Sequence, residues 1–168
     1  MELIVRAPAH RLAFAAALGV LGACQRADAP RPMTAAHAVA IRDSVQATLD
    51  AFLRYSAAGQ WDSLAGLYDE GPEFRWLEQG VVQYRSAAQI RQALRRVSPG
   101  TRIETTHHDT QLTALAPGAA SVATAFHTRF VDPRNPTGLE FGGVITMTLV
   151  HRDAGWRIVV GHTSSPGR

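Results

Sequence analysis

The sequence contains no lysine, and all 17 of its basic residues are arginine. Because 14 acidic residues oppose them, the net charge is only +3, and no segment combines arginine with aromatic residues as nucleic-acid-binding surfaces do. We therefore expect no nucleic-acid partner. The composition, 46% hydrophobic and 18% charged over 168 residues, is typical of one ordinary globular domain and argues against disorder.

Cysteine is almost absent as well. Cys24 is the only one, which excludes an intramolecular disulfide. The sequence also lacks the Gly-x-Ser-x-Gly elbow of serine hydrolases, a glycine-rich phosphate loop and the His-x-x-x-His spacing of helical metal sites. We expect no metal and no other cofactor, and nucleophilic catalysis has no support.

The first 23 residues are predicted to be an export signal. An uncharged apolar run, LAFAAALGVLGA at positions 12–23, follows a mildly basic start and is too short to be a stable membrane span. It ends in Leu21-Gly22-Ala23-Cys24, which resembles the lipobox of bacterial lipoproteins, whose cysteine becomes the lipidated first residue of the mature chain. We expect export and a lipid anchor on Cys24 in the cell envelope, at the outer membrane or periplasmic face of a Gram-negative cell. The alternative is an ordinary secretory signal in which Cys24 is incidental.

The pattern after Cys24 divides into a tether and a domain. Residues 24–33 are rich in proline and alanine and are predicted to be a tether, and residues 34–168 to be the folded domain. Apolar residues at helical spacing predict two helices, followed by a hairpin around Gln79-Gly80 and a third helix behind a Ser86-to-Gln89 capping box.

Strand-like alternation begins near residue 101. Four long runs, at about 101–115, 120–132, 139–152 and 156–164, are separated by short breaks and predict an antiparallel meander. Gly142-Gly143, inside the third run, predicts a bulge or bend that curves the sheet.

From about residue 35 onward the chain resembles the SnoaL-like, or nuclear-transport-factor-2-like, domain superfamily. Three segments carry the resemblance: Gly59-Gln60-Trp61-Asp62, Phe74-Arg75-Trp76, and GWRIVVGHTS at 155–164. The resemblance implies an α+β, cone-shaped fold in which a curved antiparallel sheet wraps over three N-terminal helices. The superfamily includes isomerases, cyclases, dehydratases and transport factors, so the resemblance specifies a fold and not a reaction.

His162 is the first candidate for a cavity residue. If the last strand alternates regularly, Trp156, Ile158 and His162 point to one face, and the two apolar residues indicate that this face covers the helices. The resemblance implies that a histidine here lines the cavity. His162 is then either a hydrogen-bonding or acid–base group, or a structural histidine bonded to nearby backbone.

Three aromatic residues complete the predicted ligand-binding set. Tyr55, Tyr68 and Trp76 can line an apolar cavity and offer polar tips to a ligand, although core packing is the simpler interpretation of each.

Two polar pairs have alternative interpretations. His107 and Asp109 share a face of a regular strand and could be a base with its orienting carboxylate, but a polar solvent-facing surface explains them better. His127 and Arg129 alternate with phenylalanines; they face solvent or a dimer partner if the Phe face is concave, and in the opposite register Arg129 could hold an anionic ligand group.

Two hypotheses of function follow. We favour a lipid-anchored exported domain that binds a small apolar molecule or a protein partner in or near a cone-shaped pocket. The alternative is an acid–base enzyme of the ketosteroid isomerase or polyketide cyclase type, with His162 or Asp109 as base and Tyr55 or Tyr68 as donor. No second carboxylic acid falls at a matching position, which argues against steroid isomerisation. The resemblance also implies that the outer face of the sheet can form a homodimer.

Overall fold

The structure is a computed structural model that describes residues 32–166, except for the side chains at positions 136 and 137. The predicted signal peptide, the lipidation candidate Cys24 and nearly all of the predicted tether lie outside the described residues. Within residues 32–166, no helix is both long and apolar enough to cross a bilayer.

Helix α1 (Ala35–Ala58) has both ends fixed by neighbouring residues. At its start, the hydroxyl of Thr34 accepts a hydrogen bond from the backbone N–H of His37 at 3.2 Å. At its end, Gly59 adopts a left-handed conformation with φ of 64°, which glycine tolerates without a steric penalty. The buried residues of α1 recur at helical spacing along one face: Ile41, Val45, Leu49 and Ser56.

A short helix, a hairpin and a third helix follow in the predicted order. Helix α2 (Trp61–Ala65) precedes strands β1 (Arg75–Glu78) and β2 (Val81–Tyr84), and helix α3 (Ala87–Leu94) comes after them. Gln79 and Gly80, between the strands, both have positive φ (51° and 79°), as a tight two-residue hairpin turn requires. At the start of α3, the predicted cap forms, because the hydroxyl of Ser86 accepts the N–H of Gln89 at 3.3 Å.

The rest of the chain forms four long strands in one sheet: β3 (Arg102–Ala116), β4 (Ala119–Asp132), β5 (Asn135–Arg152) and β6 (Gly155–Ser164). The spatial order is β2-β1-β6-β5-β4-β3. The predicted α+β fold, with a curved sheet over N-terminal helices, is confirmed. The long strands pair antiparallel as expected, but β1 pairs parallel with β6, so the sheet as a whole is mixed.

Of the bulge or bend predicted at Gly142-Gly143, the bulge is wrong for the pairing of β4 with β5. The pairing of β4 with β5 runs without a shift through both positions, with His127 opposite Gly142 and Phe126 opposite Gly143. A Cβ at Gly143 would overlap the carbonyl oxygen of Ser164. Glycine is therefore required here because two backbones approach closely.

The inner face of the sheet divides into two halves. In the closed half, side chains from α1 and the strands fill the interior, and each is at most 2% exposed: Val45, Leu49, Val122, Leu149 and Ile158. In the open half, residues farther along the same elements surround a cavity: Phe52, Ser56, Phe126, Phe130, Ile145 and Thr163.

A buried carboxylate fastens the segment before β1 to the closed half. The backbone N–H of Asp69 donates to the carbonyl of Ile158, and its carboxylate accepts from Nε and Nη2 of Arg152 at 2.8 and 3.1 Å. The N–H of Gly71 is a third donor to this carboxylate, at 3.1 Å. The hydrogen bond from Arg152 lowers the pKa of the Asp69 carboxyl, against the opposing effect of burial.

Candidate functional site

The cavity of the open half has a volume of about 780 Å³. Helices α1 and α3 form one side of it and the inner face of the sheet forms the other. It reaches the surface at Leu139 in β5, which is 50% exposed. Its aromatic lining comes from both sides: Phe52, Tyr68, Trp76, Tyr84, Phe126, Phe130 and Phe141.

The aromatic residues hold one another in place by edge contacts. The rings of Tyr68 and Trp76 lie 5.7 Å apart at 87°, and those of Phe126 and Phe141 lie 5.9 Å apart at 87°. Phe130 stacks on Phe141 at 6.0 Å. Such pairs add stabilisation beyond the burial of their area, so this wall is largely preformed.

One wall of the cavity is polar but uncharged. The hydroxyls of Thr105 on β3 and Thr128 on β4 hydrogen-bond to each other at 2.8 Å, and His107 lies two residues beyond Thr105 on the same wall. Burial lowers the pKa of His107, and neighbouring His108 lowers it further, while Asp50 opposes the shift. The imidazole of His107 is therefore neutral at neutral pH.

A second polar region lies at β1. The indole Nε1 of Trp76 donates to Oε1 of Glu78 at 3.1 Å, and both residues line the cavity. Tyr68 is buried beside them. Burial raises the pKa of its phenol far above the ordinary value, and the negative charge of Glu78 adds to the shift. Tyr68 thus keeps its proton and can act as a hydrogen-bond donor.

A sequence model of the SnoaL-like domain matches residues 45–167, which is most of the chain and includes all six strands of the sheet. The chain belongs to the SnoaL-like family.

Solved structures share the fold of this SnoaL-like domain. A nuclear-transport-factor-2-like protein from Salmonella enterica is similar with a TM-score of 0.65 and 16% identity, over 77% of this chain and 94% of that one. A candidate scytalone dehydratase from Novosphingobium aromaticivorans has a TM-score of 0.65 and 11% identity, over 77% and 86% of the two chains. A candidate dehydratase of the same superfamily from Streptomyces avermitilis has a TM-score of 0.65 and 13% identity, over 77% and 99%. At these identities the likeness shows the fold alone. No curated protein sequence matches the chain significantly.

His162 does not line the cavity of the SnoaL-like domain, so the predicted alternation of the last strand is wrong. Along β5 and β6, Thr148 pairs with Val160 and Leu149 pairs with Ile158, which leaves Val159 as an extra residue in β6. A bulge of this kind shifts the alternation by one residue.

The same bulge decides which side chains of β6 face inward. Beyond Val159, Gly161 and Thr163 pair with the buried residues Met147 and Ile145 and share the inner face with them. His162 pairs with exposed Thr146 and lies on the outer face of the sheet.

Asp109 and Tyr55 are also absent from the cavity lining that the structure describes. Asp109 has a φ of 52° and lies in a bulge of β3, between the positions that pair with Ala125 and Ala123, so it does not continue the face of His107. Its side chain is exposed. Tyr55 packs against the core from α1, with the guanidinium of Arg54 5.2 Å from its ring centroid.

Tyr68 and Trp76 lie where the prediction places them, on the cavity wall. His107 and Thr105 also line the cavity, so the solvent-facing interpretation is wrong for His107, whereas it is correct for Asp109, whose side chain is exposed. Sequence reasoning missed Glu78. Its spacing of two residues from Trp76 in a short strand is the signal that could have found it, because residues i and i+2 share a face.

His127 and Arg129 face outward, as the concave Phe face predicts. Both are exposed, and Glu140 on β5 lies 3.4 Å from Nε of Arg129 and 3.9 Å from Nε2 of His127. The inward positions that alternate with these two residues belong to Phe126, Thr128 and Phe130, which line the cavity. Across residues 32–166, no three histidine, cysteine or acidic side chains converge as metal ligands would.

Proposed function

We propose that the SnoaL-like domain binds a small apolar molecule in the cavity of its open half. The observation that carries the proposal is the contrast within one interior. The closed half is filled by its own side chains, whereas the open half leaves about 780 Å³ lined by seven aromatic residues. This volume falls in the range of small-molecule sites, which are mostly apolar with a few polar groups.

Family membership supports either binding or chemistry of the isomerase or dehydratase type. Acid–base catalysis is the second candidate because His107, neutral and thus able to accept a proton, shares the cavity with Tyr68, a protonated donor. His162 and Asp109, the bases expected from the sequence, lie outside the cavity lining, which weakens the enzymatic alternative in its original form.

Binding is testable with a matched pair of substitutions on α3. Ala93 lines the cavity, whereas Ala88 lies on the exposed side of the same helix. In Ala93→Trp the indole would fill part of the cavity, and in Ala88→Trp it would point into solvent. We expect the uncharged fluorophore N-phenylnaphthylamine to bind the full-length protein saturably, and Ala93→Trp to weaken this binding about tenfold or more.

The Ala88→Trp control should bind the fluorophore like the parent protein. Native mass spectrometry of protein purified from its own host then looks for a co-purifying molecule that Ala93→Trp loses. Equal fluorophore affinity in both variants, or no saturable binding to the parent protein, would contradict the proposal.

We further propose that lipid on Cys24 holds this domain at the cell envelope. The apolar run before Cys24 and the lipobox-like residues support the proposal. A Cys24→Ala variant should leave the membrane fraction, and the parent protein should carry the mass of a lipidated N-terminal cysteine. A parent protein that is cleaved after another residue and recovered without lipid would rule this anchor out.

A further inference from the structure

Among the described residues that line the cavity there is one formal charge, and that charge is negative. Among the lining residues that the structure describes, Glu78 is the only one with an ionisable group that is charged at neutral pH, since His107 is neutral there. The chain has 17 arginines, yet none of them lines the described cavity. A ligand that carries a carboxylate or phosphate would therefore find no cation among the described residues of the lining.

The carboxylate of Glu78 is held through one of its oxygens. Its Oε1 accepts the Nε1–H of Trp76 at 3.1 Å, and Trp76 is itself held between the ring of Tyr68 and the backbone of Gly161. Glu78 also lies opposite Thr163, another lining residue, in the pairing of β1 with β6. Of the two carboxylate oxygens, the one not bonded to Trp76 remains available as an acceptor.

The negative charge of Glu78 also affects Tyr68, a buried residue of the cavity wall. Burial raises the pKa of the Tyr68 phenol most, and the negative charge of Glu78 raises it further. The field of this charge opposes any other negative charge placed beside Tyr68 and favours a hydrogen-bond donor or a cation there.

We propose that the cavity selects its ligand by head group: it takes apolar molecules that end in a hydroxyl or amine and rejects those that end in a carboxylate, with Glu78 as the specificity-determining residue. The inference rests on the proposed binding function and adds to it the chemical class of the ligand. The amine and the alcohol each have an N–H or O–H group that can donate a hydrogen bond to Glu78. The ionised acid has the same apolar tail but no such donor.

The test compares a ten-carbon alcohol, amine and carboxylic acid as competitors of N-phenylnaphthylamine on the full-length protein, at neutral pH and low ionic strength. Because Glu78 is exposed to solvent at one side, its field is partly screened, and we expect the alcohol and amine to compete about tenfold better than the acid. In Glu78→Gln, which keeps an oxygen for Trp76, the acid should gain several-fold, the amine should lose several-fold, and the alcohol should change little.

Asp153→Asn is the control, because it removes one negative charge at the opposite end of β6. Asp153 lies in the turn that precedes β6, whereas Glu78 pairs with Thr163 near the end of that strand. It should leave all three affinities unchanged. If the fluorophore binds and Ala93→Trp blocks it, but the acid competes as well as the alcohol or Glu78→Gln alters nothing, the head-group inference is wrong and the binding function stands. If neither the fluorophore nor any competitor binds, the binding function fails and the inference fails with it.

Discussion

The closed and open halves of the interior are built from the same elements, yet they use them differently. Along α1, Leu49 belongs to the closed half and Phe52 to the open half, and along β5 the same holds for Leu149 and Ile145. In the closed half the five side chains named above are aliphatic and almost fully buried. In the open half rigid aromatic rings stand against one another and leave space between them. Stability and binding are therefore expected to depend on different residues of the same strands.

The largest contrast is expected between two truncations on β5. Leu149 is fully buried, so Leu149→Ala should leave a sealed void and lower the free energy of unfolding by about 3–5 kcal/mol. Ile145→Ala only enlarges an existing cavity. We therefore expect it to lower the free energy of unfolding by roughly 2 kcal/mol, the low end of the range for such truncations.

Urea unfolding measures both values, and fluorophore titration should show a changed affinity for Ile145→Ala alone. If the two variants lose equal stability, or if Leu149→Ala changes the fluorophore affinity, stability and binding do not depend on separate halves of the interior.

A smaller effect is expected at the boundary, where Gly161 supports the ring of Trp76. A Cβ at position 161 would overlap this ring, so Gly161→Ala should lower the free energy of unfolding by about 1–3 kcal/mol and displace the indole. Gly118→Ala is the matched control, because the nearest atom to its added Cβ would be the Cβ of His151 at 4.0 Å. Tryptophan emission and fluorophore affinity should change in the first variant and stay constant in the second.

Next in size is the ion pair of the closed half. The folded protein lowers the pKa of Asp69, so the carboxylate contributes stability above its unfolded pKa of about 3.9, and this contribution is lost as pH falls below that value. Because Arg152 is half exposed, we expect Asp69→Asn to cost about 1–2 kcal/mol at neutral pH, less than a fully buried pair would. Unfolding curves of parent and variant should converge as the pH is lowered from about 5 to 3. A constant difference would show that the pair acts by packing and not by charge.

The smallest effect on stability is expected from His107 in the open half, at a higher pH than the effect of Asp69. Burial lowers the pKa of His107 below its ordinary value of about 6.5, so the unfolded chain binds the proton more readily than the folded one. Stability should therefore fall as pH decreases through 6.5, and the fall should end below the folded pKa. His107→Gln should remove this part of the pH dependence, and His37→Gln, on the exposed first turn of α1, should not. An unchanged pH profile in His107→Gln would indicate that the imidazole is not desolvated.

Local patterns predicted much of this molecule. The capping box at Ser86, the Gln79-Gly80 hairpin, the four long strands and the inward face of β4 all depend on neighbours in the sequence. On β4 the alternation of Phe126, Thr128 and Phe130 is uninterrupted, so the prediction of its inner face is correct.

Two of the errors fall where a strand contains an extra residue. His162 lies beyond a bulge in β6 and Asp109 lies within one in β3, and a bulge is defined by pairing with another strand. The volume of the cavity also could not be predicted from the sequence. It depends on the distances between aromatic residues of five different elements.

The extra residue at Val159 also matters for any comparison of β6 between proteins. An alignment that counts positions without a gap from Trp156 onward would equate His162 of this chain with an inward residue of a relative whose strand is regular. The residue that is spatially equivalent would be Thr163 or Gly161, one position away. Functional residues carried along this strand from one member of the family to another therefore need to be matched by their strand partners, Ile145 and Met147 here, and not by sequence order.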